Sequence, residues 1–142
     1  MLKLYTDGSS NYKKGLYGSG YVLVENDTII FSNSIKGKYE QFIKYNNVAG
    51  EIFACLYGIE KCIELGYSLV IVNVDYNGLI MWRNGNWKAK NELSQIYIKM
   101  LRHYEQFINI EFNKVKAHSK ELGDKWNELA DELAKNSIQQ EC

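Results

Sequence analysis

The sequence predicts an α/β fold, a mixed sheet of five strands with helices packed on it. Three observations carry this. Hydrophobic periodicity changes along the chain in the order β-β-β-α-β-α-β-α. Leu69-Val70-Ile71-Val72 is a continuous apolar run, as expected for a central strand covered on both faces. The chain has 142 residues, 46% hydrophobic and 24% charged, the balance of one globular domain able to bury a real core.

Residues 2–7 alternate as a strand, with Leu2, Leu4 and Thr6 set against Lys3, Tyr5 and Asp7. Residues 8–15 read as a polar loop made of turn residues. Residues 17–25 and 28–35 form a hairpin around Asn26-Asp27, a pair that tolerates left-handed backbone. Residues 36–47 read as a polar connection. Helix follows from Val48 to Leu65, with Ile52, Leu56, Ile59 and Ile63 on one face and Gly66 as its stop. After the apolar run, Asp75 stands at a strand end, where open α/β sheets place ligands. Residues 76–82 predict a short helix. Residues 91–106 predict a longer one, through Leu93, Ile96, Tyr97, Met100, Leu101 and Tyr104. Ile108, Ile110, Phe112 and Val115 give the fifth strand. A last helix over 124–137 buries Trp126, Leu129, Ala130, Leu133 and Ala134.

Four carboxylates fall on four separate segments of this scheme: Asp7, Glu51, Asp75 and Asp131. Two end strand-like runs and two lie on amphipathic helices. Gathered together they make a hard, oxygen-rich, anionic pocket, which suits Mg²⁺ with water and a phosphate substrate. Two such ions can clamp the attacking and leaving oxygens of a phosphoryl displacement. A metal-dependent nuclease is the expectation.

Other features bound the setting. The start meets Asp7 before any long apolar run, so it does not read as a secretion signal, and no apolar stretch approaches membrane-spanning length. Cys55 and Cys62 lie seven residues apart on one helix, about 10 Å along its axis and too far to bridge, and Cys142 is terminal. A reducing cytoplasm is the natural compartment. Net charge is zero but unevenly spread. Residues 83–120 carry eight cations against three acids, +5, whereas 121–142 sum to −4 and the first 82 residues to −1. A basic stretch beside an acidic metal site suits a bound polyanion, although most of these lysines, taken singly, read as solvated surface charge. The lysine bias and the absence of proline fit an AT-rich genome as well as any function.

The Asp7-Gly8-Ser9 end of strand one, Glu51 after Asn47-Val48-Ala49-Gly50, the strand-end Asp75, and Val115-Lys116-Ala117-His118 ahead of Asn127-Glu128-Leu129-Ala130-Asp131 together resemble type 1 ribonuclease H over nearly the whole chain. Asn84-Gly85-Asn86-Trp87-Lys88-Ala89-Lys90 is similar to the bacterial branch that often carries a viroplasmin-like domain in front. The resemblance implies strand order 3-2-1-4-5 with helices on both faces. It implies an endoribonuclease that cuts the RNA strand of RNA–DNA hybrids with two Mg²⁺ ions, Mn²⁺ being able to substitute, leaving 5′-phosphate and 3′-hydroxyl ends. Asp7, Glu51, Asp75 and Asp131 match the metal ligands. His118 matches a loop histidine that assists proton transfer or product release, and an imidazole titrating near neutrality suits that task. Asn47 and Asn77 match residues near the 2′-hydroxyls that distinguish RNA from DNA. Ser9, Asn11, Trp87, Lys88 and Lys90 complete the expected substrate-binding set. Residues 1–138 are expected to form the catalytic domain and 139–142 a tail, acting as a monomer with no obligatory protein partner, without a membrane, and without a hybrid-binding domain ahead of the first strand.

Taken one at a time, these residues have plainer readings. Asp7 and Asp75 fit turn carboxylates, Glu51 a helix-dipole partner, and Asp131 an i,i+4 partner of Lys135. Trp82 reads as a core anchor. Chance would have to set all five motifs in order, and the set therefore outweighs the single readings. The chain also departs from the pattern. Only Asn84–Lys90 stands where many members have a long basic protrusion, Val48 and Tyr76 replace usual polar residues, and residues 119–124 lengthen the interval after His118. A resolvase- or transposase-like nuclease and a non-catalytic nucleic-acid-binding module are the alternatives.

Overall fold

The computed structural model describes residues 1–115 and 124–139. Five strands, β1 (Lys3–Asn11), β2 (Leu16–Glu25), β3 (Thr28–Lys36), β4 (Leu69–Val74) and β5 (Asn109–Lys114), form one sheet in the order β3-β2-β1-β4-β5. β2 is antiparallel to both its neighbours, while β1, β4 and β5 run parallel. Helices α1 (Asn47–Glu64), α2 (Gly78–Asn84), α3 (Glu92–Tyr104) and α4 (Asp124–Gln139) complete the fold. The predicted sheet order and mixed pairing hold.

The pleat sorts β1 onto two cores. Leu2 and Leu4 enter the larger core with Ile52, Leu56 and Ile59 of α1 and Leu93, Tyr97 and Leu101 of α3. Tyr5 faces the other way, joining Val22, Val24 and Ala130 under α4. Helices therefore cover both faces. Strand β4 is buried at Val70, Val72 and Val74, as its apolar run requires.

The local signals acted as their chemistry dictates. Asn26 and Asp27 both take positive φ (52° and 61°), the pattern of a tight hairpin turn. Gly66, at φ 87°, follows the end of α1, where its N–H and that of Tyr67 reach back to the carbonyls of Ile63 and Cys62. Asn91 caps α3 reciprocally with Ser94.

The structure refines several of these expectations. Residues 8–11 are not loop: β1 continues to Asn11, because Gly8–Asn11 keep pairing with Leu16–Ser19 of β2. Only Tyr12–Lys14 turns, as one 3₁₀ turn capped by Asn11. The polar connection after β3 contains a second 3₁₀ turn, Glu40–Tyr45, ordered by burial of Phe42. On α1, Ile63 packs against the larger core as expected but only partly, while Cys62 beside it is fully buried. Trp126, Leu129 and Leu133 are likewise half-buried, so Ala130 and Ala134 carry the close contact of α4. Cys55 and Cys62 are free and buried. Among the described residues no helix is long and apolar enough to cross a membrane.

Candidate active site

Asp7 lies within β1, opposite Gly20 of β2. Asp75 follows β4 directly, the strand parallel to β1 on its other side. Glu51 comes from the first turns of α1, and Asp131 from the middle of α4. Carboxylate oxygens of Asp7, Glu51 and Asp75 lie within 4.8 Å of one another. Asp131 lies outside that group of three but approaches Asp7 from the other helix, within hydrogen-bonding reach of its carboxyl. The four predicted carboxylates thus meet at one place, brought there by two strands and two helices.

Glycines permit the approach. A Cβ on Gly8 would overlap the backbone of Asn47, Gly50 and Glu51, so its absence lets α1 descend beside Asp7. A Cβ on Gly20 would overlap the backbone of Ala130 and Ala134, so its absence lets α4 bring Asp131 close. Thr6 donates its hydroxyl to Glu51 Oε1 at 2.6 Å, and the Gly8 N–H donates to Asp7 Oδ1 at 2.9 Å. Lys135 pairs with Asp131 at 2.9 Å, which is the plain i,i+4 reading of that aspartate and coexists with its place in the cluster. This contact also raises the Lys135 pKa.

Crowding these groups costs energy, and their protons record it. Burial, then the charge of Asp75 and the contact with Asp131, push the Asp7 carboxyl from 3.8 to about 7. Glu51, only 3% exposed, is driven well above its ordinary value by burial and then by Asp7 and Asp75, against the lowering hydrogen bond from Thr6. Glu51 Oε2 is buried with no hydrogen-bond partner. An orphaned buried carboxylate oxygen beside two further carboxylates is the donor set a hard divalent cation satisfies, so the residues present fit such an ion.

The expected substrate-binding residues surround this cluster unevenly. Asn47 opens α1 and accepts a hydrogen bond from Ser10 Oγ at 2.7 Å. Ser9 is half-exposed on β1, two residues past Asp7. Asn11 is engaged as a cap, its side chain accepting from the Lys14 N–H at 3.2 Å. Asn77 is exposed at the start of α2, and its side chain makes no capping bond. Trp87 is 41% exposed and edge-on to Trp82 and Tyr76, with Lys88 and Lys90 exposed beside it. Trp82 packs against the larger core and Tyr97, as an anchor should. His118 and the lengthened stretch after it lie outside the described residues. Sequence reasoning missed Thr6 and Ser10, which orient Glu51 and Asn47. Thr6 shares the α1 face with Leu4 within the strand as read, whereas Ser10 lies on the part of β1 that the sequence did not show as strand.

A model of the RNase H family matches residues 1–139. A ribonuclease H of Caldicellulosiruptor saccharolyticus is 28% identical to the chain, covering 96% of it and 95% of the relative. Among solved structures, RNase H1 of the halophilic archaeon Halobacterium salinarum matches with TM-score 0.81 at 20% identity, covering 99% of this chain and 98% of that one. LC11-RNase H1, solved in complex with an RNA/DNA hybrid, matches with TM-score 0.79 at 20% identity over the same shares. The N-terminal RNase H domain of rv2228c from Mycobacterium tuberculosis matches with TM-score 0.79 at 19% identity, covering 97% and 93%. With the family match running almost end to end, and with four carboxylates converging on the sheet, the chain belongs to the RNase H family of hydrolytic nucleases.

Proposed function

We propose that the protein is an endoribonuclease of the type 1, viroplasmin-associated branch, acting as a cytoplasmic monomer on the RNA strand of RNA–DNA hybrids. The observation that carries this reading is the meeting of Asp7, Glu51 and Asp75 oxygens within 4.8 Å, with Asp131 alongside. The hybrid bound by the similar LC11-RNase H1 supports the choice of substrate.

In this reading Asp7, Glu51, Asp75 and Asp131 hold two Mg²⁺ ions, with Mn²⁺ as a substitute. When bound, the ions supply the positive charge that activates a water and stabilises charge on the reacting phosphate. The water oxygen attacks phosphorus and the bond to the ribose 3′-oxygen breaks, leaving a 5′-phosphate and a 3′-hydroxyl. The protein's own work is positional. Thr6 fixes one oxygen of Glu51 and leaves the other unpartnered. The Gly8 N–H fixes Asp7. Asn47, held by Ser10, and Asn77 read 2′-hydroxyls, which only the RNA strand offers. Ser9 and Asn11 follow Asp7 on its own face of β1 and meet the substrate there. Trp87, Lys88 and Lys90 grip the opposite strand's backbone, and His118 assists proton transfer or product release.

The test is a substrate panel: labelled RNA–DNA hybrid, double-stranded RNA and double-stranded DNA, each with and without Mg²⁺. Cleavage of the hybrid's RNA strand alone, dependent on metal, is the expected result. Cleavage of double-stranded DNA in preference would point instead to a resolvase-like nuclease, and metal-dependent binding without cleavage to a non-catalytic module.

A further inference from the structure

We propose that Lys13, Lys36 and Lys38 form a second contact surface, at the end of the sheet beyond Asn11, that grips the backbone of the hybrid flanking the carboxylate site. The inference rests on the hybrid-cleaving reading above and adds residues that reading does not use.

Strand register puts these lysines at the same end of the sheet as the carboxylates. Ser9 pairs with Gly18, and Gly18 pairs with Lys36, so Lys36 stands level with a residue two beyond Asp7. After β3 the chain folds back: Gly37 N–H donates to the Tyr17 carbonyl at 2.7 Å, and Tyr39 N–H donates to the Tyr17 hydroxyl at 3.1 Å. These bonds fix Lys38 between them. Tyr39 is anchored by Phe42 and Phe53, each with its ring 5.7 Å away. The turn bearing Lys13 closes on this segment, because Gly15 lies against Ile43 of the second 3₁₀ turn.

Charge supplies the second argument. Residues 8–24 contain no acid, and residues 28–46 contain only Glu40. Glu25 and Asp27 sit at the far end of the β2–β3 hairpin, where Asp27 pairs with Lys125. Lys13, Lys36 and Lys38 are exposed and form no ion pair among the described residues. Lys44, by contrast, stands over the ring of Tyr45 and is left out. Like charges gathered without internal partners repel one another, and a polyanion relieves that repulsion.

The sheet order makes the surface complementary to the expected grip. Lys88 and Lys90 follow α2, beyond β4, on one side of β1; the new lysines lie on the β2–β3 side. A duplex lying over the carboxylates would be held on both flanks, which offsets the shortness of the Asn84–Lys90 segment. From Asp7 the strand advances about 7 Å to Ser9, level with Lys36, and about 13 Å to Asn11, roughly two to four phosphates along one nucleic-acid strand. Hybrids that end nearer than this to the scissile bond cannot span the surface.

The triple variant Lys13→Gln, Lys36→Gln, Lys38→Gln tests the proposal against wild type and a control, Lys3→Gln with Lys125→Gln, whose lysines lie at the opposite end of the sheet. Steady-state cleavage is measured on hybrids of about 6 and about 24 base pairs over a range of salt, where each lost phosphate contact flattens the logarithmic salt slope by about 0.9. On the long hybrid the triple variant should raise KM about tenfold and flatten the slope of log KM against log salt by about 2 to 3, with kcat within about twofold of wild type. On the short hybrid it should match wild type, and the control should match on both. Equal KM values on the long hybrid, or the same loss on short and long, would overturn the surface while leaving the catalytic reading intact. Wild type that cleaves neither hybrid would overturn the reading beneath it.

Discussion

Thr6 and Glu51 are joined by a 2.6 Å hydrogen bond that ties β1 to α1 one residue before Asp7. Forty-five residues separate them in the chain, and both are almost completely buried. The bond holds a carboxylate in a place that burial alone would make it avoid. Thr6→Val keeps the shape and removes the donor, leaving Glu51 with neither oxygen satisfied in the metal-free protein. A loss of about 1–3 kcal/mol in urea unfolding is expected. Because the Thr6 bond lowers the Glu51 pKa, the variant should also bind divalent cation more weakly, seen as a smaller Mg²⁺-induced rise in Tm. Unchanged stability would show that the bond is incidental.

The raised carboxyls make metal-free stability depend on pH with a definite sign. Asp7 titrates at about 7 in the folded chain against an ordinary 3.8, and Glu51 is also raised well above its ordinary value. The folded protein therefore binds more protons than the unfolded one, and stability falls as pH rises. It should be highest near pH 4 and decline through 7, the Asp7 share being on the order of a few kcal/mol. Thermal melts in EDTA read this directly. Asp7→Asn should flatten the decline, and Mg²⁺ should do the same to wild type by binding the charged cluster. A metal-free Tm that climbs from pH 4 to 7 would reverse the assignment.

Asp7→Asn separates catalysis from folding. It removes a charge from a crowded anionic cluster, so the variant should fold and, at pH 8 without metal, melt above wild type. Cleavage of hybrid should fall by about a thousandfold or more, as expected when a group acting only through bound charge is lost. The Mg²⁺-induced stabilisation should shrink with it. Cleavage at the wild-type rate would mean the site lies elsewhere.

Gly20 offers a test that leaves every carboxylate in place. It is the cross-strand partner of Asp7, and α4 rests on it through the backbone of Ala130 and Ala134. Gly20→Ala must push that helix away, because backbone atoms cannot rotate aside as a flexible side chain can. About 1–3 kcal/mol of stability should be lost. Asp131 should retreat from Asp7, giving a larger loss of metal-dependent stabilisation than Thr6→Val produces. A variant with wild-type melting and metal response would show that α4 does not depend on this contact.

What could be read from the sequence follows from how far each signal acts. The Asn26-Asp27 turn, the Gly66 stop and the apolar β4 run are local, and each is present as read. The extension of β1 through Gly8–Asn11 is not local: those residues look like turn formers, and only their pairing with Leu16–Ser19 keeps them extended. Phe42 likewise orders a segment that reads as polar, because one buried ring outweighs its neighbours. The four carboxylates were visible as a set through their order along the chain. Of the groups that position them, Gly8 belongs to the Asp7-Gly8-Ser9 motif, whereas Thr6 and Gly20 act across elements and carry no sequence signature of their own.

Reading and gripping should separate by substitution. Asn47, held by Ser10 at 2.7 Å, stands at the start of the helix that carries Glu51, and the proposed reading sets it against the ribose being cut. Lys88 and Lys90 stand on an exposed loop after α2, away from the carboxylates in the chain and able to meet any phosphate. Asn47→Ala should therefore lower the preference for a ribose-containing strand by about tenfold, on the order of one lost hydrogen bond, as read by cleavage of hybrids carrying a single deoxynucleotide at varied positions. Lys88→Ala with Lys90→Ala should instead weaken every duplex alike and flatten the salt slope by up to about 2, while sparing turnover at saturating substrate. If the lysine pair alters selectivity and Asn47 does not, the two roles are exchanged, and the α2–α3 loop is the part of the protein that recognises RNA.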